Sequence, residues 1–173
     1  MEVEMKIRGL MMDPVTNMPV VVLKEAQGTA ILPIWVGIYE ANAIALEIEK
    51  VQTPRPMTHD LLANTIAALG GRVLRILVND LAGETFFARI ILDVDGRHVE
   101  VDARPSDAIA LAVRVAVPIL VDEGVLTKGA ISVDHISGGR FEMGLGSGWH
   151  DQEAKAFGLD WPSQGGRFKV MES

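Results

Sequence analysis

The sequence predicts a mixed α/β fold of the α+β type, an antiparallel-rich sheet packed with about three helices, and three observations predict it. Residues 2 to 9 alternate Glu2, Glu4, Lys6 and Arg8 with Val3, Met5, Ile7 and Gly9, the period of two that suits a half-buried strand. Residues 38 to 51 and 58 to 69 carry apolar side chains at helical spacing. Three strand-like runs between residues 73 and 101 are joined by short turns and read as an antiparallel meander.

The elements follow in order. After the first strand and a Pro-containing loop, Val20 to Leu23 and Thr29 to Leu32 flank Ala26-Gln27-Gly28, a short Gly-containing link that predicts an antiparallel pair. In the first helix Ile38, Ala41, Ile44, Ala45, Ile48 and Val51 share one face, with Glu40, Glu47 and Lys50 away from it. Pro54-Arg55-Pro56 cannot be helix interior and separates it from the second helix. That helix takes Thr58 as its N-cap, Asp60 in its first turn, Leu61, Leu62, Thr65, Ile66 and Leu69 as its apolar face, and Gly70-Gly71 as its stop. In the meander, Asp95-Gly96 is a strong type I′ hairpin signal. The third helix runs from about Pro105 to Ala116, with Arg114 its one charge beyond the first turn, so the core should enclose it. Pro118 ends it, and Ile119-Leu120-Val121 adds a short strand. This body is expected to span residues 1–136. Residues 137–173 form a Gly-rich C-terminal extension, and Trp149, Phe157, Trp161 and Phe168 leave it open between a disordered and a docked state.

Composition sets the limits. A length of 173 residues, 49% hydrophobic, supports one well-buried core at roughly 150 residues per domain. No apolar run reaches the ~18 to 20 residues of a membrane span, and Met1-Glu2-Val3-Glu4 lacks the basic start of a signal peptide, so a cytoplasmic location with no membrane partner is expected. Zero cysteines exclude disulfides, thiolate zinc sites and a Cys nucleophile, leaving carboxylates and four histidines as metal ligands. The formal charge of -7 argues against a broad nucleic-acid-binding face. Any nucleic acid would be held locally, by a few arginines or a bridging cation.

Two Arg-Pro helix entrances concentrate the reactive side chains. Pro54-Arg55-Pro56-Met57-Thr58-His59-Asp60 gathers a cation, an imidazole and a carboxylate, and Asp102-Ala103-Arg104-Pro105-Ser106-Asp107 repeats the theme. Free N–H groups at a helix N-terminus bind phosphate, and a guanidinium grips it bidentately. By chemistry His59 suits acid or base work, Arg55 and Arg104 suit phosphate clamping with Ser106 beside them, and Asp60, Asp102 and Asp107 suit water activation or ligation of Mg²⁺ or Mn²⁺. A structural account stands beside this one. Thr58, Asp60, Ser106 and Asp107 are cap-forming residue types, Pro105 fits a first helical position, and Arg104 has carboxylates within reach. His98, His135 and His150 lie in a strand, a loop and the tail and are weaker candidates.

Taken in order, Leu32-Pro33-Ile34-Trp35-Val36-Gly37, Glu40-Ala41, the run Pro54 to Leu62, Phe86-Phe87-Ala88 and the run Asp102 to Ala112 resemble the bifunctional nuclease domain family of bacteria and plants, over about residues 5 to 130. The resemblance implies a fold largely peculiar to that family, self-association as a homodimer or larger homo-oligomer, and nuclease activity on DNA and RNA as transient substrates. His59, Asp60, Asp102 and Asp107 are nominated as catalytic because they lie in its motifs and have suitable chemistry, and the hydrolysis is expected to be metal-assisted. A non-catalytic homo-oligomeric interaction module and a sensor of a phosphate-bearing small ligand are the alternatives.

Overall fold

The structure, a computed structural model, describes residues 1–136, and Met1 to Ser132 form one compact unit. The expected extension over 137–173 lies outside the described residues. The element order is β1 (Glu2–Met12), β2 (Pro19–Glu25), β3 (Ile31–Trp35), α1 (Ile38–Ile48), α2 (Thr58–Ala68), β4 (Gly71–Ala82), β5 (Thr85–Val94), β6 (Arg97–Ala103), α3 (Pro105–Val115), β7 (Ile119–Asp122) and α4 (Glu123–Ile136).

The seven strands form one sheet in the order β3-β2-β1-β7-β4-β5-β6. Every neighbouring pair is antiparallel except β4 with β7. The meander β4-β5-β6 is the predicted one, and its second turn is left-handed at both Asp95 and Gly96, at φ 52° and 75°, as a type I′ turn requires. β7 inserts between β1 and β4 and so joins the N-terminal hairpins to the meander.

Register explains the core. Ile76 pairs with Ile90 and Val78 with Ala88, while Ile90 pairs in turn with Val101, so these residues share one face of the sheet. α3 packs on that face against β4 and β5, with α1 and α2 against its flanks. Its residues from Ala108 to Ala112 are all buried, as the lack of charge along it predicts. Full burial of Ile109 or Leu111 contributes about 1.5–3 kcal/mol each. Pro105 occupies the first turn, and Ala116 closes the helix in the left-handed conformation at φ 55°.

Three expectations change. The N-cap of α2 is Met57, and Thr58 is its first helical residue. The apolar face expected for α2 is largely open: the helix buries only His59, and Leu61, Leu62 and Leu69 are exposed, because α2 packs chiefly on α3 and β4 and leaves its other sides uncovered. A fourth helix, α4, follows β7; Gly124 and Gly129 weaken its helical signal, and tertiary contact replaces it. Val125 is buried, and a Cβ on Gly129 would come within 2.7 Å of Leu32 Cδ1, so the helix backbone lies directly on β3. No helix among the described residues is long and apolar enough to cross a membrane.

Candidate active site

The N-terminal ends of α2 and α3 meet. His59, the second residue of α2, is only 8% exposed, and its Nε2 lies 3.0 Å from Asp107 Oδ1 in the first turn of α3. An ionised carboxylate can only accept, so Nε2 carries the proton and the neutral ring keeps its lone pair on Nδ1. Nδ1 has no hydrogen-bond partner among the described residues.

Asp107 is gripped from its other side by Arg104, with Nε donating to Oδ2 at 2.7 Å and Nη2 to Oδ1 at 3.1 Å. Burial disfavours the charge on Asp107, but hydrogen bonds from Arg104 and His59 outweigh it and hold the carboxyl below its ordinary value. Arg104 reaches on to Glu40 of α1, with Nη1 2.9 Å from Oε1. Its hydrogen bond to Asp107 comes first, and Glu40 second, in raising the guanidinium pKa further. Glu40 was not among the residues nominated from chemistry. Gly37, the α1 N-cap, is the signal that could have found it: the Glu40 carboxylate folds back into the space a Cβ on Gly37 would fill.

Two clefts share His59, Thr58, Arg104 and Asp107 as a common wall. One, of about 350 Å³, opens toward α1 and is lined further by Tyr39, Asn42, Leu46 and Met57. The other, of about 480 Å³, runs between α2 and the sheet over Leu62, Ile66, Ile90, Leu92 and Val101.

The remaining nominated residues are placed elsewhere. Asp60 accepts from the Met57 backbone N–H at 2.8 Å and from Arg114 Nε, whose side chain is only 6% exposed. The Met57 bond leads, and with Arg114 overcomes partial burial, so the Asp60 carboxyl also sits below its ordinary value. Arg114 further donates to the Ala110 and Ala43 carbonyls, which makes this pair a clamp between α1, α2 and α3. Asp102 borders the apolar cleft, yet it alternates with Val101 and Ala103, so strand geometry turns its side chain to the opposite face, where its register partner is Arg89. Ser106 is buried and lines neither cleft; Arg55 is exposed and lines neither.

These placements bear on a resident Mg²⁺ or Mn²⁺. Asp60 is occupied by an arginine and an amide, Asp107 by an arginine and a histidine, and Asp102 faces away. Among the described residues no three His, Asp or Glu side chains converge on a point that could hold a cation. The three nominated aspartates therefore form no preassembled cation site among the described residues.

What the cluster can do follows from its parts. A histidine oriented by a carboxylate, with a free ring nitrogen, can accept or return a proton. A guanidinium beside it can stabilise charge developing on a phosphoryl oxygen.

Comparison with known proteins agrees with this setting. The family model described as the bifunctional nuclease domain matches residues 21–134. A luciferase-like monooxygenase model matches residues 107–169; it starts inside α3, within the first match, and covers well under half of the chain. The chain is 45% identical over 130 residues to an uncharacterized protein of Mycobacterium tuberculosis, covering 75% of this chain and 77% of that one. It is 33% identical over 109 residues to bifunctional nuclease 1 of Arabidopsis thaliana, covering 61% of this chain and 34% of the plant protein. Against bifunctional nuclease 2 of Oryza sativa subsp. japonica it is 34% identical over 107 residues, covering 60% of this chain and 33% of that protein. With about two thirds of its length under the family model, the chain belongs to the bifunctional nuclease domain family.

Proposed function

We propose that this chain hydrolyses phosphodiester bonds of DNA and RNA at the His59–Asp107–Arg104 cluster. The observation that carries the reading is the 3.0 Å contact between His59 and Asp107, which joins two helix N-termini at the wall of two open clefts. Names of the plant relatives support the reaction class; the match spans about a third of those proteins.

In this reading His59 takes a proton from an attacking water through Nδ1. The new P–O bond forms as the opposite one breaks, and the proton returns to the departing oxygen. Asp107 fixes the orientation of the ring. Arg104, released in part from Asp107 and Glu40, offsets the charge on the phosphoryl oxygens. Water as the nucleophile makes a 2′-hydroxyl unnecessary, which suits both nucleic acids.

The test is cleavage of labelled single-stranded DNA and RNA by purified protein with Mg²⁺, Mn²⁺ or chelator, beside His59→Ala and Asp107→Ala. Loss of roughly 10²- to 10⁴-fold in each variant is the expected result, the range general acid–base catalysis supplies. Cleavage that survives chelation supports the cluster acting alone. Strict need for a divalent ion would bear out the metal assistance expected from the sequence and require ligands beyond those three aspartates. Undiminished cleavage in both variants would move the chemistry away from this cluster.

A second reading, a non-catalytic homo-oligomeric module, is favoured by exposed apolar side chains, Leu61 and Leu62 of α2, Leu69 at its C-cap, and Val99 and Val101 of β6. Light scattering decides it: an assembly that Leu61→Glu with Leu69→Glu breaks into monomers, and a chain that cleaves nothing, would put this reading first.

A further inference from the structure

A phosphodiester inside a strand carries a nucleoside on each side, and two clefts share the cluster as a wall. We infer that the two clefts are paired nucleoside subsites about one scissile phosphate, that the substrate is an unpaired strand, and that Tyr39 is the surface on which one base stacks. The inference rests on the phosphodiesterase reading of the same cluster.

Tyr39 is the only tyrosine of the chain and the second residue of α1, directly before Glu40, which holds Arg104. It is 85% exposed, although it lines the smaller cleft with Asn42 and Met57. A ring that open contributes little to the fold. Beside a phosphate-sized position it offers what every base can use, a flat π-surface, and such stacking tolerates any sequence. Asn42 adds a donor and an acceptor for a base edge.

The second cleft is different in kind. Leu62, Ile66 and Val101 give it apolar walls that accept a sugar and base by contact rather than by hydrogen bonds. It therefore makes no demand for a 2′-hydroxyl, in keeping with activity on both DNA and RNA. A base paired in a duplex would have to leave its stack to enter either cleft, at a free-energy cost that an unpaired strand avoids. The formal charge of -7 argues against a basic track that would offset that cost along a duplex.

The experiment uses the full chain carrying His59→Ala, so that substrate stays intact, and a single-stranded hexanucleotide containing 2-aminopurine, whose fluorescence falls on stacking. Quenching is expected with Tyr39 and with Tyr39→Phe, and Tyr39→Ala should weaken binding roughly tenfold. In the chain with His59 restored, Tyr39→Ala should raise KM far more than it lowers kcat. Equal affinity in Tyr39→Ala overturns the inference, as does duplex bound as tightly as single strand. A change of molecular mass in Tyr39→Ala also overturns it, by making the ring a contact between copies. Cleavage by the native chain that is indifferent to Tyr39 removes the subsites and leaves the phosphodiesterase reading. No binding and no cleavage by any form removes both.

Discussion

Asp60 and Asp107 have the same chemistry and stand at equivalent places in two helix entrances, yet their partners give them different work. Asp60 faces a buried arginine and Asp107 faces a buried histidine. Asp60→Asn leaves the buried Arg114 charge with neutral acceptors and no counter-charge in place of Asp60, and breaking such a pair typically costs about 3–5 kcal/mol. It should lower Tm by calorimetry while any activity falls only with the folded fraction. Asp107→Asn should do the reverse, keeping Tm within a few degrees and removing cleavage. The chain itself discloses both helix entrances and their residue types. It does not disclose that residue 59 finds residue 107, 48 positions away, or that Asp60 finds Arg114, 54 positions away, because partner choice follows from helix packing. A third carboxylate yields a pH prediction. Asp13 accepts from Thr16 Oγ1, from the Trp35 indole and from the Val15 amide, and these bonds, Thr16 first, lower its pKa to about 2. A folded value below the unfolded one stabilises at higher pH, so this contribution is complete above the ordinary 3.8 and is lost as pH falls toward 2. The Tm advantage of the native chain over Asp13→Asn should therefore shrink across that window; an advantage constant from pH 5 to 2 would refute the assignment.

At the scale of elements, α3 was the most legible and α4 the least, for one physical reason. α3 has its start written in Pro105, its stop in Pro118 and its burial in an unbroken apolar stretch, so local chemistry and tertiary environment agree. α4 contains Gly124 and Gly129, whose helix propensity is poor, and is held by contacts that only the fold supplies. α2 misled in the opposite direction, since its apolar residues have helical spacing but border a cleft and solvent more than a core. The end of α3 carries its own prediction. Ala116 is exposed and left-handed at φ 55°, a conformation that costs an L-residue roughly 1–2 kcal/mol and glycine nothing. Ala116→Gly gains that strain energy and loses part of it to the greater freedom of glycine in the unfolded chain. A net stabilisation of about 0.5–1 kcal/mol, read as a higher urea midpoint with unchanged m-value, is the expected outcome. A lower midpoint would show that the left-handed turn is not strained in solution.

For the whole molecule, the proposed function requires a chain of formal charge -7 to hold a polyanion. Four cations among the described residues are already paired: Arg72 with Asp93, Arg75 with Glu2, Arg89 with Glu100, and Lys128 with Asp80. Arg104 is closed as well, but its side chain is 65% exposed and shared between two carboxylates, so a phosphate can compete for it. Binding then draws on one or two cations and on contact in the clefts rather than on a charged surface. Counterion release sets a measurable consequence, because the affinity of a single strand falls with log salt at about 0.7 per phosphate neutralised. Titration of a single-stranded oligonucleotide between low and moderate salt should give a slope near -1 and no steeper than about -1.5. Arg104→Gln should flatten it further, whereas Lys24→Gln, on β2 away from the clefts, should leave it unchanged. A slope of about -4 would mean that several more phosphates are neutralised than the two clefts can present, and nucleic acid would then have to lie across a wider surface than the clefts.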